Sequence, residues 1–86
     1  MAQYIEKSGE SKKDAIVVLD VENEREGVRA EYEYLEKLFG QRNIDWKTEA
    51  QYLLMENEMV YDKIVIRLSD GKKKEIFFNI TFYFGK

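Results

Sequence analysis

Carboxyl groups are the most abundant side chains in this sequence that are capable of acid–base chemistry. Aspartate and glutamate supply 17 of the 86 residues, whereas histidine and cysteine are absent. Asp20 with Glu22, and Asp45 with Glu49, have a spacing that brings two carboxylates close together. Such pairs also arise by chance in an acidic chain. The three serines lie in a predicted tail and a predicted turn, with no base nearby: Ser8, Ser11 and Ser69. The sequence therefore predicts no catalytic residue and no enzyme.

A metal or cofactor site has equally little support in the sequence. Without cysteine and histidine, the chain lacks the usual zinc ligands and forms no disulfide. The acidic run Asp20–Glu24 offers carboxylates of the kind that bind Mg²⁺ or Ca²⁺. Its spacing matches no calcium loop, and Asn23 within it is predicted to cap a helix. We interpret the run as a solvated loop, and predict no metal and no cofactor.

The basic run Lys72–Lys74, with Arg67 nearby, is the feature that most favours nucleic-acid binding. Phosphate contacts require a concentrated cationic surface, whereas this chain has a net charge of −3 and a pI of about 5.0. Such a run at the end of a hairpin is more often a solubilising feature. Nucleic acid is therefore an unlikely partner, and a nucleic-acid-binding accessory domain is the alternative hypothesis.

Length and composition indicate one folded domain. A chain of 86 residues is too short for two independent cores, and 44% hydrophobic residues suffice for one. We predict a flexible N-terminal tail over residues 1–13 and a single α+β domain over residues 14–86. Residues 1–7 lack the apolar core of a signal peptide, and no stretch approaches the roughly 20 apolar residues of a membrane span. Together with the absence of cysteine, this predicts a cytoplasmic protein without membrane contact.

The first two predicted elements are a strand and a helix. The strand is the β-branched run Ala15–Leu19, and the helix begins after Asn23, which precedes Glu26 by three residues. The helix is predicted to end at Phe39, before Gly40. Its apolar stripe consists of side chains at helical spacing, widened by three neighbours: Val28, Tyr32, Leu35 and Phe39, with Ala30, Tyr34 and Leu38.

Residues 45–56 fit either a helix or a strand, and we favour a strand because the following segment supplies an antiparallel partner. That following segment begins the clearest feature of the sequence, a hairpin around Ser69-Asp70-Gly71. A two-residue loop at Asp70-Gly71 would oppose Ile66 to Glu75, whereas a three-residue loop opposes Ile64 to Ile76. The hydrophobic pattern therefore selects the three-residue loop, with Gly71 in a left-handed conformation.

This register assigns the side chains of the hairpin to two faces of a sheet. The face predicted to lie beneath the helix carries the even-numbered residues Val60, Ile64, Ile66, Leu68, Ile76, Phe78, Ile80, Phe82 and Phe84. A second three-residue turn, at Glu56-Asn57-Glu58, would add Trp46, Ala50, Tyr52 and Leu54 to it. The opposite face carries Leu53, Met55, Met59, Tyr61, Val65, Phe77 and Tyr83 among polar residues.

The fold predicted from these elements is β-α-β-β-β, with a four-stranded mixed sheet and one helix on one face. The last strand, Lys74–Phe84, is nearly uncharged, and such a strand at a sheet edge would invite aggregation. We therefore place it inside the sheet, with the first strand parallel beside it. Sequential strand order is the alternative.

The apolar odd-numbered face carries the leading functional hypothesis. One helix cannot cover both faces of a sheet, so the second face is predicted to bind a protein partner or a second copy of the chain. The predicted partner-binding residues are Met59, Tyr61, Val65, Phe77 and Tyr83. The competing interpretation is that the N-terminal tail covers this face. A small-molecule pocket between helix and sheet is the third hypothesis, after nucleic-acid binding.

Overall fold

Five strands and one helix form the part of the chain that a computed structural model describes, residues 2–85; Met1 and Lys86, the outermost residues of the two predicted segments, lie outside it. The elements are β1 (Gln3–Ile5), β2 (Ile16–Leu19), α1 (Glu24–Phe39), β3 (Trp46–Glu56), β4 (Met59–Leu68) and β5 (Lys73–Asn79). They form one sheet in the order β1-β2-β5-β4-β3. Only β2 and β5 are parallel. The α+β class and the position of β2 beside β5 are confirmed.

The prediction of four strands misses β1, which lies in the segment predicted to be a flexible tail. Gln3–Ile5 pairs antiparallel with β2. The Tyr4 hydroxyl donates a hydrogen bond of 2.8 Å to the Ala30 carbonyl, and the Tyr4 ring packs 4.7 Å from that of Tyr34. Further along, the buried Gly9 accepts a hydrogen bond from the Phe77 amide. These contacts with distant parts of the chain fix the segment at two points.

The β4–β5 hairpin has the predicted register. Ile64 opposes Ile76, and the Leu68 amide donates to the Lys72 carbonyl, which leaves Ser69–Gly71 as the three-residue loop. Gly71 has a φ of +89°, the left-handed conformation that its place in the loop requires. Both residues of the Ile64–Ile76 pair are buried beneath α1.

The β3–β4 turn differs from the prediction. Glu56 opposes Met59, so the turn contains two residues, Asn57 and Glu58, both with positive φ (51° and 65°). Positive φ at both central positions is typical of the tight hairpin turn whose twist matches that of the flanking strands. The shorter loop shifts the pairing by one residue, and this exchanges the two faces of β3 relative to the prediction.

A bulge at Glu49 then reverses that exchange for the first part of β3. The register shifts between Thr48, which opposes Ile66, and Ala50, which opposes Val65. Trp46 consequently lies on the helix side and is buried, as predicted. The prediction is wrong for the rest of the strand. Ala50, Tyr52 and Leu54 lie on the face away from α1, whereas Leu53 and Met55 lie on the helix side.

The helix has the predicted limits, and Ala30, Tyr34 and Leu35 of the predicted stripe are buried, but the buried side as a whole is rotated from the prediction. The Asn23 side chain accepts a hydrogen bond of 2.9 Å from the Glu26 amide, and the helix ends before Gly40. Its buried residues are Gly27, Ala30, Glu31, Tyr34 and Leu35. Val28 and Leu38, which were predicted to face the sheet, are 38% and 47% exposed. Within residues 2–85, no helix is long and apolar enough to cross a membrane.

The cause of the helix rotation is a turn at the C-terminal end. The chain leaves β5 at Asn79, and the Ile80 carbonyl accepts hydrogen bonds from the Tyr83 and Phe84 amides. This turn places the Tyr83 ring against Gly27, where an added Cβ would lie only 2.3 Å from the ring carbons. The prediction that Tyr83 lies on the odd-numbered face is therefore wrong, because its side chain is 1% exposed in the core. Phe82 and Phe84, expected beneath the helix, are exposed.

Candidate functional site

The face of the sheet opposite α1 is apolar along its whole width. We call this surface the apolar sheet face, and its apolar members are Ile5, Val17, Leu19, Ala50, Tyr52, Leu54, Met59, Tyr61, Val65 and Phe77. Ile5, Tyr52 and Met59 are between 43% and 49% exposed, and the others are half-buried. Four of the five predicted partner-binding residues lie together here. The fifth, Tyr83, does not.

Most charged groups on the apolar sheet face are paired with one another, whereas Lys47, which lies opposite Arg67, takes part in no ion pair of the described residues. The Glu49 carboxylate accepts hydrogen bonds from Arg67, the shorter of 2.7 Å, and lies 3.1 Å from Lys73. These hydrogen bonds, Arg67 first, hold the pKa of the Glu49 carboxyl below its ordinary value. Lys63 and Glu75 form another pair at 3.6 Å. Arg67 and Lys73, which the sequence suggested for phosphate binding, are thus engaged with a carboxylate.

The N-terminal segment reaches the apolar sheet face at one point. Lys12, in the connection between β1 and β2, forms an ion pair of 2.8 Å with Glu56 at the end of β3. The competing interpretation, in which the N-terminal segment covers this face, is therefore supported only by this contact between Lys12 and Glu56. Three exposed apolar side chains on the face, Ile5, Tyr52 and Met59, show that much of it is accessible.

A second surface feature lies on the helix side of the sheet. It is bounded by α1, by the C-terminal turn, and by the halves of β3 and β4 that adjoin the β3–β4 turn. It is a pocket of about 360 Å³, which we call the acid pocket. Its lining residues are Glu24, Val28, Gln51, Leu53, Asp62, Ile80, Tyr83 and Phe84. The lining combines apolar side chains with carboxylates, a hydroxyl and an amide, and no lysine or arginine of the described residues contributes to it.

Two buried carboxyl groups lie at the base of the acid pocket. Glu31 of α1 is completely buried and Asp62 of β4 is 4% exposed. Glu31 Oε1 accepts a hydrogen bond of 2.6 Å from the Tyr83 hydroxyl, and Asp62 lies within hydrogen-bonding range of Glu31. Burial first, and then the neighbouring Asp62, raise the pKa of the Glu31 carboxyl to about 10. At neutral pH, Glu31 is therefore protonated.

A proton on Glu31 accounts for the one buried side-chain atom without a partner in the described residues, Glu31 Oε2. Protonation makes Glu31 a hydrogen-bond donor beside the neighbouring acid, Asp62. Gln51 completes the arrangement, because its Nε2 donates to Asp62 at 2.7 Å and its Oε1 accepts from the Tyr32 hydroxyl at 3.0 Å. Burial and the charge of Glu31 also raise the pKa of the Tyr83 hydroxyl.

The acid pairs that the sequence suggested are not brought together as sites. Asp45 accepts a hydrogen bond of 2.7 Å from the Gln41 amide, and Glu49 is engaged with Arg67. Asp20 and Glu22 lie in the exposed connection before α1. Among residues 2–85, no three or more acidic side chains are grouped in a way that could hold a metal ion.

Sequence reasoning missed Glu31 and Asp62, the two buried acids. Asp62 occupies an even-numbered position between Val60 and Ile64, so the correct hairpin register already placed it on the helix side. A charged residue at a core position was the available signal. Glu31 gave a weaker signal, because its burial depends on the rotation of α1 that Tyr83 imposes.

We compared the chain with known proteins by family model, by curated sequence and by solved structure, and none of these comparisons found a match. The functional argument accordingly depends on the apolar sheet face and the acid pocket alone.

Proposed function

We propose that this domain is a non-catalytic protein-interaction module that uses the apolar sheet face, with a second copy of the chain as the simplest partner. One observation carries the proposal. Among residues 2–85, a five-stranded sheet has one helix on one side, while ten apolar side chains line the other side. Sheets bury an apolar face against another layer, and packing against the same face of a second copy supplies that layer.

The pairing of charges supports a protein partner over a nucleic acid. Glu49 engages both Arg67 and Lys73, and Glu75 engages Lys63, so few cations on this face are free to neutralise phosphates. Apolar association depends weakly on salt, whereas phosphate binding weakens steeply as salt rises. We place the protein in the cytoplasm as part of this proposal, because a chain without cysteine suits a reducing compartment.

The test is sedimentation velocity over a range of protein concentrations, with variants that place charge on the apolar sheet face. Tyr52→Glu and Met59→Glu change side chains that are 49% and 43% exposed, so they cost the folded monomer little. Ile44→Glu is the matched control, because Ile44 is 67% exposed and lies outside the face.

We expect the wild type and Ile44→Glu to dimerise, and Tyr52→Glu and Met59→Glu to sediment as monomers at the same concentrations. Each change places a carboxylate inside an apolar interface, and the cost of removing that charge from water is why either change prevents association. A wild-type chain that stays monomeric at millimolar concentration would overturn self-association. Dimers that persist in both face variants would show that the interface lies elsewhere.

A further inference from the structure

We propose that the acid pocket binds a small organic cation, with a primary ammonium group against the Asp62 carboxylate and an apolar body against Leu53 and Phe84. This site is independent of the proposed protein-binding function, because the pocket and the apolar sheet face lie on opposite sides of the sheet. Either proposal can fail while the other stands.

The charge balance beneath the pocket favours a cation. Glu31 and Asp62 are both buried, and neither takes part in any ion pair of the described residues. A buried carboxylate is normally compensated by a cation, because desolvation costs several kcal/mol without one. The proton on Glu31 neutralises that acid. The Asp62 carboxylate accepts a hydrogen bond from Gln51, has no cation beside it among residues 2–85, and lies at the wall of an accessible pocket.

The donors and acceptors around Asp62 fit an ammonium group. Gln51 Nε2 donates to Asp62 Oδ2, while Glu24 lies at the pocket wall with its Oε1 accepting from the Gly85 amide. A primary ammonium has three donors and no acceptor, so it suits a lining rich in carboxylate oxygens. An anionic ligand would meet two carboxylates in the lining and no cation.

The remainder of the lining indicates an organic ligand. Val28, Leu53 and Phe84 are 38%, 51% and 37% exposed, and together they form an apolar wall beside the carboxylates. The volume of about 360 Å³ falls in the range of roughly 300–1,000 Å³ that is typical of small-molecule sites. A metal ion such as Ca²⁺ takes six to eight oxygen ligands. Among residues 2–85 no three acidic side chains are grouped to hold such an ion, and a metal would leave the apolar wall of the pocket unused.

The first experiment titrates wild-type protein with 2-phenylethylammonium and follows backbone amide shifts by NMR. Two probes of the same shape are the controls: 2-phenylethanol is neutral and 3-phenylpropionate is negatively charged. We expect saturable shifts at Gln51, Leu53, Asp62 and Phe84 with the ammonium probe, and binding at least about tenfold weaker for both controls. If 2-phenylethanol binds as tightly as the ammonium probe, the charge recognition proposed here is wrong. Shifts that do not saturate, or that map elsewhere, overturn the site.

Variants separate the role of Asp62 from that of Glu31. Asp62→Asn removes the charge and is expected to weaken ammonium binding by about tenfold or more. Glu31→Gln mimics the protonated acid, since an amide accepts from Tyr83 and donates to Asp62, and binding should stay within about threefold of wild type. Retained binding in Asp62→Asn would refute the proposal. Should Asp62→Asn not fold, the comparison of the charged and neutral probes on wild-type protein decides the question.

Discussion

Replacing Glu31 with glutamine should make the protein more stable at alkaline pH, although the change removes a buried and hydrogen-bonded group. The folded state raises the pKa of the Glu31 carboxyl from an ordinary 4.5 to about 10. The folded protein therefore binds a proton that the unfolded chain releases. Its stabilising effect is fully present below pH 4.5, and it is lost progressively as the pH rises toward about 10.

The magnitude follows from proton linkage. One proton bound only by the folded state lowers the free energy of unfolding by slightly more than 1 kcal/mol per pH unit between those two pKa values. From pH 5 to pH 8 the wild type should lose about 3 to 4 kcal/mol relative to Glu31→Gln, whose amide does not titrate. The groups that face Glu31 and Tyr83 are Asp62 on β4, Glu24 on α1 and Tyr4 on β1, and all three are retained in the variant.

Urea denaturation at pH 5, 6, 7 and 8 measures the effect, with fluorescence of the single tryptophan as the signal. Trp46 is buried and donates a hydrogen bond of 2.8 Å to the Gly40 carbonyl, so its emission reports the folded core. Subtracting the variant from the wild type cancels the titration of groups that do not interact with Glu31. Glu33→Gln is the control, because Glu33 is exposed on the same helix. A difference between wild type and Glu31→Gln that does not vary with pH would mean that Glu31 is ionised in the folded protein.

Three further changes test other parts of the fold by urea denaturation. Replacing glycine with alanine inside a helix normally stabilises it by up to about 1 kcal/mol. In Gly27→Ala the added Cβ meets the Tyr83 ring, so we expect the free energy of unfolding to fall by about 1 to 3 kcal/mol. A gain in stability would contradict this packing. Glu58 has a left-handed backbone conformation in the β3–β4 turn, which glycine adopts more easily. Glu58→Gly should therefore raise the free energy of unfolding by about 1 kcal/mol. Should it destabilise instead, the turn geometry is wrong. Deletion of Glu49 removes the bulge without changing the pairing on either side, so we expect only a small loss of stability, from the surface ion pairs with Arg67 and Lys73. A loss of several kcal/mol would show that the bulge is needed for folding.

The β4–β5 hairpin was predictable because two independent signals agreed. The alternation of apolar residues selected one register, and the loop Ser69–Gly71 supplied a glycine where that register needs a left-handed residue. The β3–β4 hairpin offered no such agreement. Asn57-Glu58 lacks the glycine that normally marks a two-residue turn, and nothing local in the sequence marks Glu49 as a bulge. The shorter turn moves β3 to the opposite face and the bulge moves its first part back, so Trp46 is buried as predicted.

Contacts that are distant in sequence account for the other differences. The limits of α1 follow from local signals at Asn23 and Gly40. Its rotation follows from the Tyr83 ring against Gly27, and that contact exists only because the chain turns back after β5. The strand β1 is likewise fixed by Tyr4 against α1. The hydrophobic periodicity of an element predicts its length. Its orientation depends on contacts with other elements, which that periodicity does not reveal.

The acid pocket lies where two acidic residues, Glu31 and Asp62, occupy buried positions that normally carry apolar side chains. Asp62 interrupts an apolar series in the best-predicted hairpin, and Glu31 lies between Gly27 and Leu35 on the buried side of the helix. Two ionised acids at these positions would be costly, and the proton on Glu31 removes one of the two charges. Apolar side chains of similar size would fill the same space and are often more stabilising than buried charged groups. Stability therefore does not account for two acids here. A cationic ligand at Asp62 would give them a role, and the comparison of charged and neutral probes tests that explanation directly.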